Sequence, residues 1–183
     1  MQLKKEHLAP ALRRLSERGE IFVPTVVDET VSKFAPWDGH GEPALDLINT
    51  KLPPKDTLFP HQEGMYKYHT AGEQALEEIV EAPDRILFGV RPCDARSIDC
   101  MDKVFLGDKY QDTFYARRRE HLTVIAHACA QAGPTCFCDS MGLNPGEAPS
   151  ADLLLIDAEG GGWLVKPQTP KGEEIEKLWQ DLM

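Results

Sequence analysis

Arg85-Ile-Leu-Phe-Gly-Val90 is a short apolar run rich in branched side chains, and two more follow it, Leu122-Thr-Val-Ile-Ala-His127 and Asp152-Leu-Leu-Leu-Ile-Asp157. Each lacks the polar alternation of a half-exposed strand and is too short for an amphipathic helix, so each reads as a strand buried on both faces. Between the first two lies Asp94 to Glu120, where Ile98, Met101 and Val104-Phe105 recur at helical spacing and Arg117-Arg-Arg119 then faces solvent. Strand, helix, strand in that order makes a right-handed crossover between parallel neighbours, so both strands end on the same edge of the sheet. The expected fold class is α/β: a small, mostly parallel sheet with flanking helices and an irregular amino-terminal lobe over about residues 35–70, within one domain spanning 1–183.

That shared edge matters because open α/β sheets place their ligands beyond the carboxyl ends of their strands. Cys93 comes just after Val90, and Cys129 just after His127. The loop Cys129-Ala-Gln-Ala-Gly-Pro-Thr-Cys136-Phe-Cys138-Asp-Ser-Met-Gly142 carries two further thiols, and Gly133, Pro134 and Gly142 let it turn tightly. Four cysteines, Cys93, Cys129, Cys136 and Cys138, are therefore expected at one place. A [4Fe-4S] cluster is usually held by four thiolates, and its ligands can come from distant segments. Zinc is the alternative, held by the same four thiolates or by three with His127, although the usual pair of C-x2-C knuckles is missing. Thiol–disulfide exchange is disfavoured, because no C-x-x-C opens a helix.

Neighbouring residues carry smaller expectations. Cys100, among Ile98, Met101 and Val104, reads as a small core residue. Asp94 is placed to cap the crossover helix, the alternative being that its charge tunes the cluster. Arg91 either stabilises the anionic cluster or pairs with a surface carboxylate. Arg117-Arg-Arg119 solvates a helix end or docks an acidic partner. His127 reads as hydrogen-bonded structure rather than ligand, and loop amides are expected to donate to the sulfurs.

Composition bounds the function. The chain has 183 residues, 30 acidic against 20 basic, with a formal charge of −10. Phosphate recognition needs a basic surface, so a nucleic-acid partner is not expected. No apolar run approaches the roughly 18 residues that span a bilayer. The amino terminus lacks the apolar core of a secretory signal, which points to the cytoplasm. In that reducing compartment, clustered cysteines bind metal more often than they form structural disulfides. No G-x-G-x-x-G follows any strand, which argues against a flavin or nicotinamide enzyme.

The remaining map is coarser. Leu8, Leu12 and Leu15 share one face of a first helix ending at Gly19, and Glu20 to Val27 reads as a strand kept near an edge by Pro24. Ala35 to Pro60 has no periodicity, Met65 to His69 alternates like a strand, and Glu73 to Val80 is expected to be a helix with Ala75, Leu76 and Ile79 inward. Gly160-Gly-Gly162 turns the chain into Trp163-Leu-Val165 as a hairpin partner. Lys171 to Met183 is an amphipathic helix with Ile175, Leu178, Trp179 and Leu182 as its apolar stripe.

The stretches Phe88-Gly-Val-Arg-Pro-Cys-Asp94, Ile98 to Asp102-Lys-Val-Phe105, Ala128-Cys129, Gly133 and Thr135-Cys-Phe-Cys-Asp-Ser-Met-Gly142 also resemble a known family. It is the amino-terminal part of the iron-sulfur electron-transfer subunits of soluble hydrogenases, the sulfhydrogenase beta subunits, to which the A subunit of anaerobic sulfite reductase is similar. Pro53-Pro-Lys55 to Phe59-Pro60 and Glu63 to Tyr66 agree more loosely. The resemblance implies a non-catalytic module carrying electrons between a flavin- and nicotinamide-binding subunit and a catalytic metal subunit. By position its motif cysteines fall on Cys93, Cys129, Cys136 and Cys138. Family members continue into a ferredoxin-like segment with C-x-x-C-x-x-C-x3-C-P runs, and none occurs before Met183. The chain is accordingly expected to be an excised amino-terminal domain or a natural stand-alone version.

Overall fold

The computed structural model describes residues 1–29, 31–70, 76–79 and 82–183. Nine strands and four α-helices are assigned within those residues. The strands are β1 (Gln2–Leu3), β2 (Glu20–Val26), β3 (Ser32–Pro36), β4 (Tyr66–Tyr68), β5 (Leu76–Glu78), β6 (Arg85–Val90), β7 (Leu122–His127), β8 (Leu153–Asp157) and β9 (Trp163–Pro167). The helices are α1 (Leu8–Ser16), α2 (Pro92–Phe105), α3 (Thr113–Glu120) and α4 (Pro170–Leu178). Seven strands form one sheet in the order β1-β9-β8-β7-β6-β2-β3, while β4 and β5 form a separate ribbon. The pairs β2/β6, β6/β7 and β7/β8 are parallel, and β9, β1 and β3 are added antiparallel at the flanks.

The three apolar runs are the sheet's centre, as their lack of alternation requires. Ile86, Phe88, Ile125, Leu153 and Leu155 point to one face, where α1 and α4 cover them with Leu12, Leu15, Ile175 and Trp179. Leu87, Val90, Val124, Ala126 and Leu154 point to the other, under Ala95 and Ile98 of α2 and Tyr115 of α3. Phe88 and Val90 would share a face in a regular strand. A register shift between them, with Gly89 at φ +79°, turns Val90 to the opposite side.

Several expectations change. The crossover holds two helices rather than one, because Gly107 follows α2 and the Asp112 carboxylate caps α3 by accepting the Tyr115 N–H at 2.7 Å. Asp102 joins the halves, accepting from the Tyr115 hydroxyl at 2.6 Å and from Arg119 Nε at 2.9 Å. Arg117-Arg-Arg119 is therefore not a uniformly solvated run. Arg118 is bound to the Leu58 carbonyl at 2.6 Å and to Glu63, and only Arg117 projects well into water. Cys100 and Val104 are exposed on α2, whose inward stripe runs through Pro92, Ala95 and Ile98. Cys100 is thus not a core residue.

β2 is interior rather than at an edge, with β6 along Glu20–Phe22 and β3 along Phe22–Val26. Pro24 is accommodated because it lies beyond the last β6 partner, where its carbonyl accepts the Ala44 N–H at 2.8 Å. Of the helix expected over Glu73–Val80, residues 73–75 and 80 lie outside the described residues. Leu76–Glu78 is a strand with Leu76 exposed, and it places Glu77 opposite Lys67 and Leu76 opposite Tyr68. These cross-strand pairs stabilise a strand where one short helix is marginal alone. Residues 37–65 contain one 3-10 turn, Pro54–Thr57, and the part around Leu45 lies against the sheet: the Leu45 side chain is buried above Gly89.

Candidate metal centre

β6 and β7 run parallel from Arg85 opposite Leu122 to Val90 opposite Ala126, so the chain leaves both at one edge of the sheet. Cys93 is the second residue of α2, immediately after β6, and Cys129 begins the connection from β7 to β8. A parallel connection usually contains a helix. This one contains the cysteine loop and only a 3-10 turn, Asp139–Met141. Its base is closed where the Cys129 N–H donates to Pro145 O at 2.9 Å, and Ala148 and Ala151 then return it to the core.

Inside the loop the backbone turns around the thiols. The Cys136 N–H donates to Gly133 O at 3.1 Å, while the Gly133 N–H points at Cys136 Sγ at 3.2 Å. Cys138 O accepts from the amides of Met141 at 3.0 Å and Leu143 at 2.9 Å, with Gly142 left-handed at φ +67°. These bonds place one turn before Cys136 and another after Cys138, on either side of the Cys136-Phe-Cys138 stretch. All four cysteines are half-buried free thiols, and Phe137 between two of them is 66% exposed.

Electrostatics link the four. Burial pushes the Cys93 thiol up to about 12, Asp94, Cys138 and Cys129 add to the rise, and the Asp94 N–H opposes it. Burial also raises Cys129, with Cys138 and Cys136 contributing, while the Arg91 guanidinium beside it pulls the other way. Charge on Cys138 is thus felt at thiols of both loops, Cys93 and Cys129. Among the described residues, no group of three or more His, Cys, Asp or Glu side chains forms a ready site for a metal ion.

The surrounding residues decide several roles. Arg91 precedes α2 with extended backbone and takes the cap position, so Asp94 lies in the first turn and is not the cap. Burial raises the Asp94 carboxyl, with Lys55 and Arg91 pulling it down. Among the described residues, Arg91 pairs with no surface carboxylate through its hydrogen bonds. It donates to Leu45 O at 2.6 Å, to Leu47 O at 3.1 Å from Nε, to Ala128 O at 3.3 Å and to His127 Nδ1 at 3.2 Å. A guanidinium only donates, so Nδ1 of His127 accepts and the ring proton lies on Nε2, which donates to Asp157 Oδ1 at 2.9 Å. Burial lowers the His127 pKa, consistent with a neutral ring. With both nitrogens engaged, His127 is structural.

Sequence reasoning missed the third wall. Ile48 Cγ2 would lie 3.1 Å from a Cβ on Gly133, and Asn49 Nδ2 approaches Cys136 Sγ at 3.8 Å. Leu45 and Leu47 contribute carbonyls, a role that carries no side-chain signature. The donor set suits a thiolate-bound cluster: soft sulfurs from two loops, N–H groups directed at one of them and a cation beside another.

The chain is similar to sulfhydrogenase 2 subunit beta of Pyrococcus furiosus, with 29% identity over 181 residues covering 99% of this chain and 51% of that protein. It thus spans about half the length of the curated relative it matches. No protein-family model matches the chain, and no solved structure does. That similarity supports a sulfhydrogenase beta-subunit-like relationship. No helix among the described residues is long and apolar enough to cross a membrane.

Proposed function

We propose that this chain is an electron-transfer module, without a substrate of its own, that binds one [4Fe-4S] cluster through Cys93, Cys129, Cys136 and Cys138. It works within a hydrogenase-type complex, between a flavin- and nicotinamide-binding subunit and a catalytic metal subunit. The observation that carries the proposal is that both cysteine-bearing loops leave a parallel sheet at the same carboxyl edge, directly after β6 and β7. Similarity to a sulfhydrogenase beta subunit over nearly the whole chain supports the setting. When bound, such a cluster supplies a one-electron couple.

The protein's own residues do the rest. Turns flank Cys136 and Cys138 on either side, and Cys93 lies in the first turn of α2. Directed N–H groups and the Arg91 charge favour the anionic sulfur state and raise the potential at which an electron is accepted. Iron and sulfide analysis after anaerobic reconstitution tests the proposal. The wild type is expected to take up a four-iron cluster and Cys136→Ser to lose most of the iron. Full iron retention by Cys136→Ser refutes the ligand set, and stoichiometric zinc in a colourless protein refutes the redox role in favour of a zinc-stapled docking domain.

A further inference from the structure

Resting on that function, we infer that Arg91 is the positioning residue of the thiol site: its guanidinium clasps the 45–47 segment to the ends of β6 and β7 and supplies fixed positive charge to the sulfurs. The geometry is complete. Arg91 carries five N–H groups, and five bonds leave it: Nε to Leu47 O, Nη2 to Leu45 O and Leu47 O, and Nη1 to His127 Nδ1 and Ala128 O. None of these acceptors is charged, so the bonds fix the group in place without neutralising it. The charge stands instead at the entry of both cysteine loops, with Nη1 on the carbonyl of Ala128, the residue before Cys129, and Arg91 itself two residues before Cys93.

The clasp spans segments distant in the chain. Leu45 and Leu47 belong to the stretch that continues into Ile48 against Gly133 and Asn49 against Cys136. Ala128 and His127 lead directly into Cys129, and Arg91 itself leads into Cys93. One side chain therefore sets the spacing between both cysteine loops and their third wall. Lysine carries the same charge but is a point donor on a flexible stem, unable to reproduce the planar fork. Substitution separates the two parts of the role.

The test uses the full chain with Arg91→Lys and Arg91→Met. The first readout is alkylation of the metal-free protein by iodoacetamide, followed cysteine by cysteine by mass spectrometry, with exposed Cys100 as internal reference. Both variants are expected to alkylate at Cys136 about tenfold faster or more relative to Cys100, since charge-assisted bonds that hold a segment closed are lost. The second readout is the midpoint potential of the iron-loaded protein. Arg91→Lys is expected to stay near wild type, while Arg91→Met falls by about a tenfold change in the reduced-to-oxidised ratio, equivalent to about 59 mV for one electron.

Wild-type alkylation ratios in both variants overturn the clasp, and an unchanged potential in Arg91→Met overturns the charge role. If Arg91→Met fails to fold by circular dichroism, Arg91→Lys still decides the clasp, and a wild-type potential with faster alkylation in it supports the division. A wild-type chain that takes up no iron refutes the cluster itself, while the alkylation experiment still judges Arg91.

Discussion

Five thiols in one chain behave differently because of where each stands, and substituting them separately makes the difference measurable. Ser at Cys93, Cys129 or Cys138 is expected to lower iron content as Cys136→Ser does. Cys100→Ser leaves it unchanged, since that thiol lies exposed on the outer side of α2. Protonation offers a second test in the metal-free chain. Burial holds the Cys93 thiol at about 12 against an ordinary 9.0, so folding favours its neutral form. Its contribution to stability is fully present below about pH 9. It is lost as pH rises towards 12, because the unfolded chain ionises first. Urea midpoints measured across that window should fall in the wild type and fall less steeply in Cys93→Ala. Iron uptake requires the thiolates, so it should release protons and weaken as pH falls.

Among the elements, β6 carries the most consequential irregularity. Gly89 has φ +79°, and a Cβ there would lie 2.5 Å from Leu45 Cδ2. Gly89→Ala thus combines backbone strain with a collision against the segment that Arg91 holds. It is expected to destabilise by roughly 1–3 kcal/mol in urea unfolding, and faster alkylation of Cys136 would show that Leu45 has moved the wall. The α2/α3 pair offers a contrast. Tyr115→Phe removes one hydrogen bond to Asp102 but leaves Arg119 in place, so a loss of about 0.5–1.5 kcal/mol is expected. The paired helices are held by this polar contact as well as by Ile98 and Tyr115 in the core.

Across the whole molecule, the two faces of the sheet divide the work. One face closes the chain termini together: Trp179 is fully buried, its Nε1–H donates to Ala11 O at 3.2 Å, and Arg14 binds Leu178 O at 2.8 Å beside Asp181. The Arg14–Asp181 pair is exposed and contributes little alone, whereas the indole fills the centre of the α1/α4 layer. Trp179→Ala is expected to cost about 3–5 kcal/mol by thermal or urea unfolding. The cysteine loop returns to the opposite face through Ala148 and Ala151, so the folded fraction of that variant should keep its iron and its potential. A potential that moves with Trp179→Ala would show the two layers to be coupled.

The central strands were legible because residues buried on both faces of a parallel sheet must be apolar without alternation, and β6, β7 and β8 are. The inward face of α1 and the Trp163 hairpin followed from periodicity and glycines in the same way, although α1 ends at Ser16, short of Gly19. Residues 76–78 misled because a short run with mixed periodicity takes its conformation from its cross-strand partner, which local sequence does not contain. Cys100 misled because helical spacing alone does not set the direction of the buried stripe. By itself, the sequence determined that β6 and β7 are parallel neighbours and on which side of the sheet the cysteines emerge, since both follow from local pattern and the handedness of crossovers. Tertiary structure alone decided that Arg91 reaches Leu45 and Leu47 and that Asn49 meets Cys136. Those contacts join backbone carbonyls and a lone amide across long stretches of chain, and no periodicity in the intervening residues encodes them.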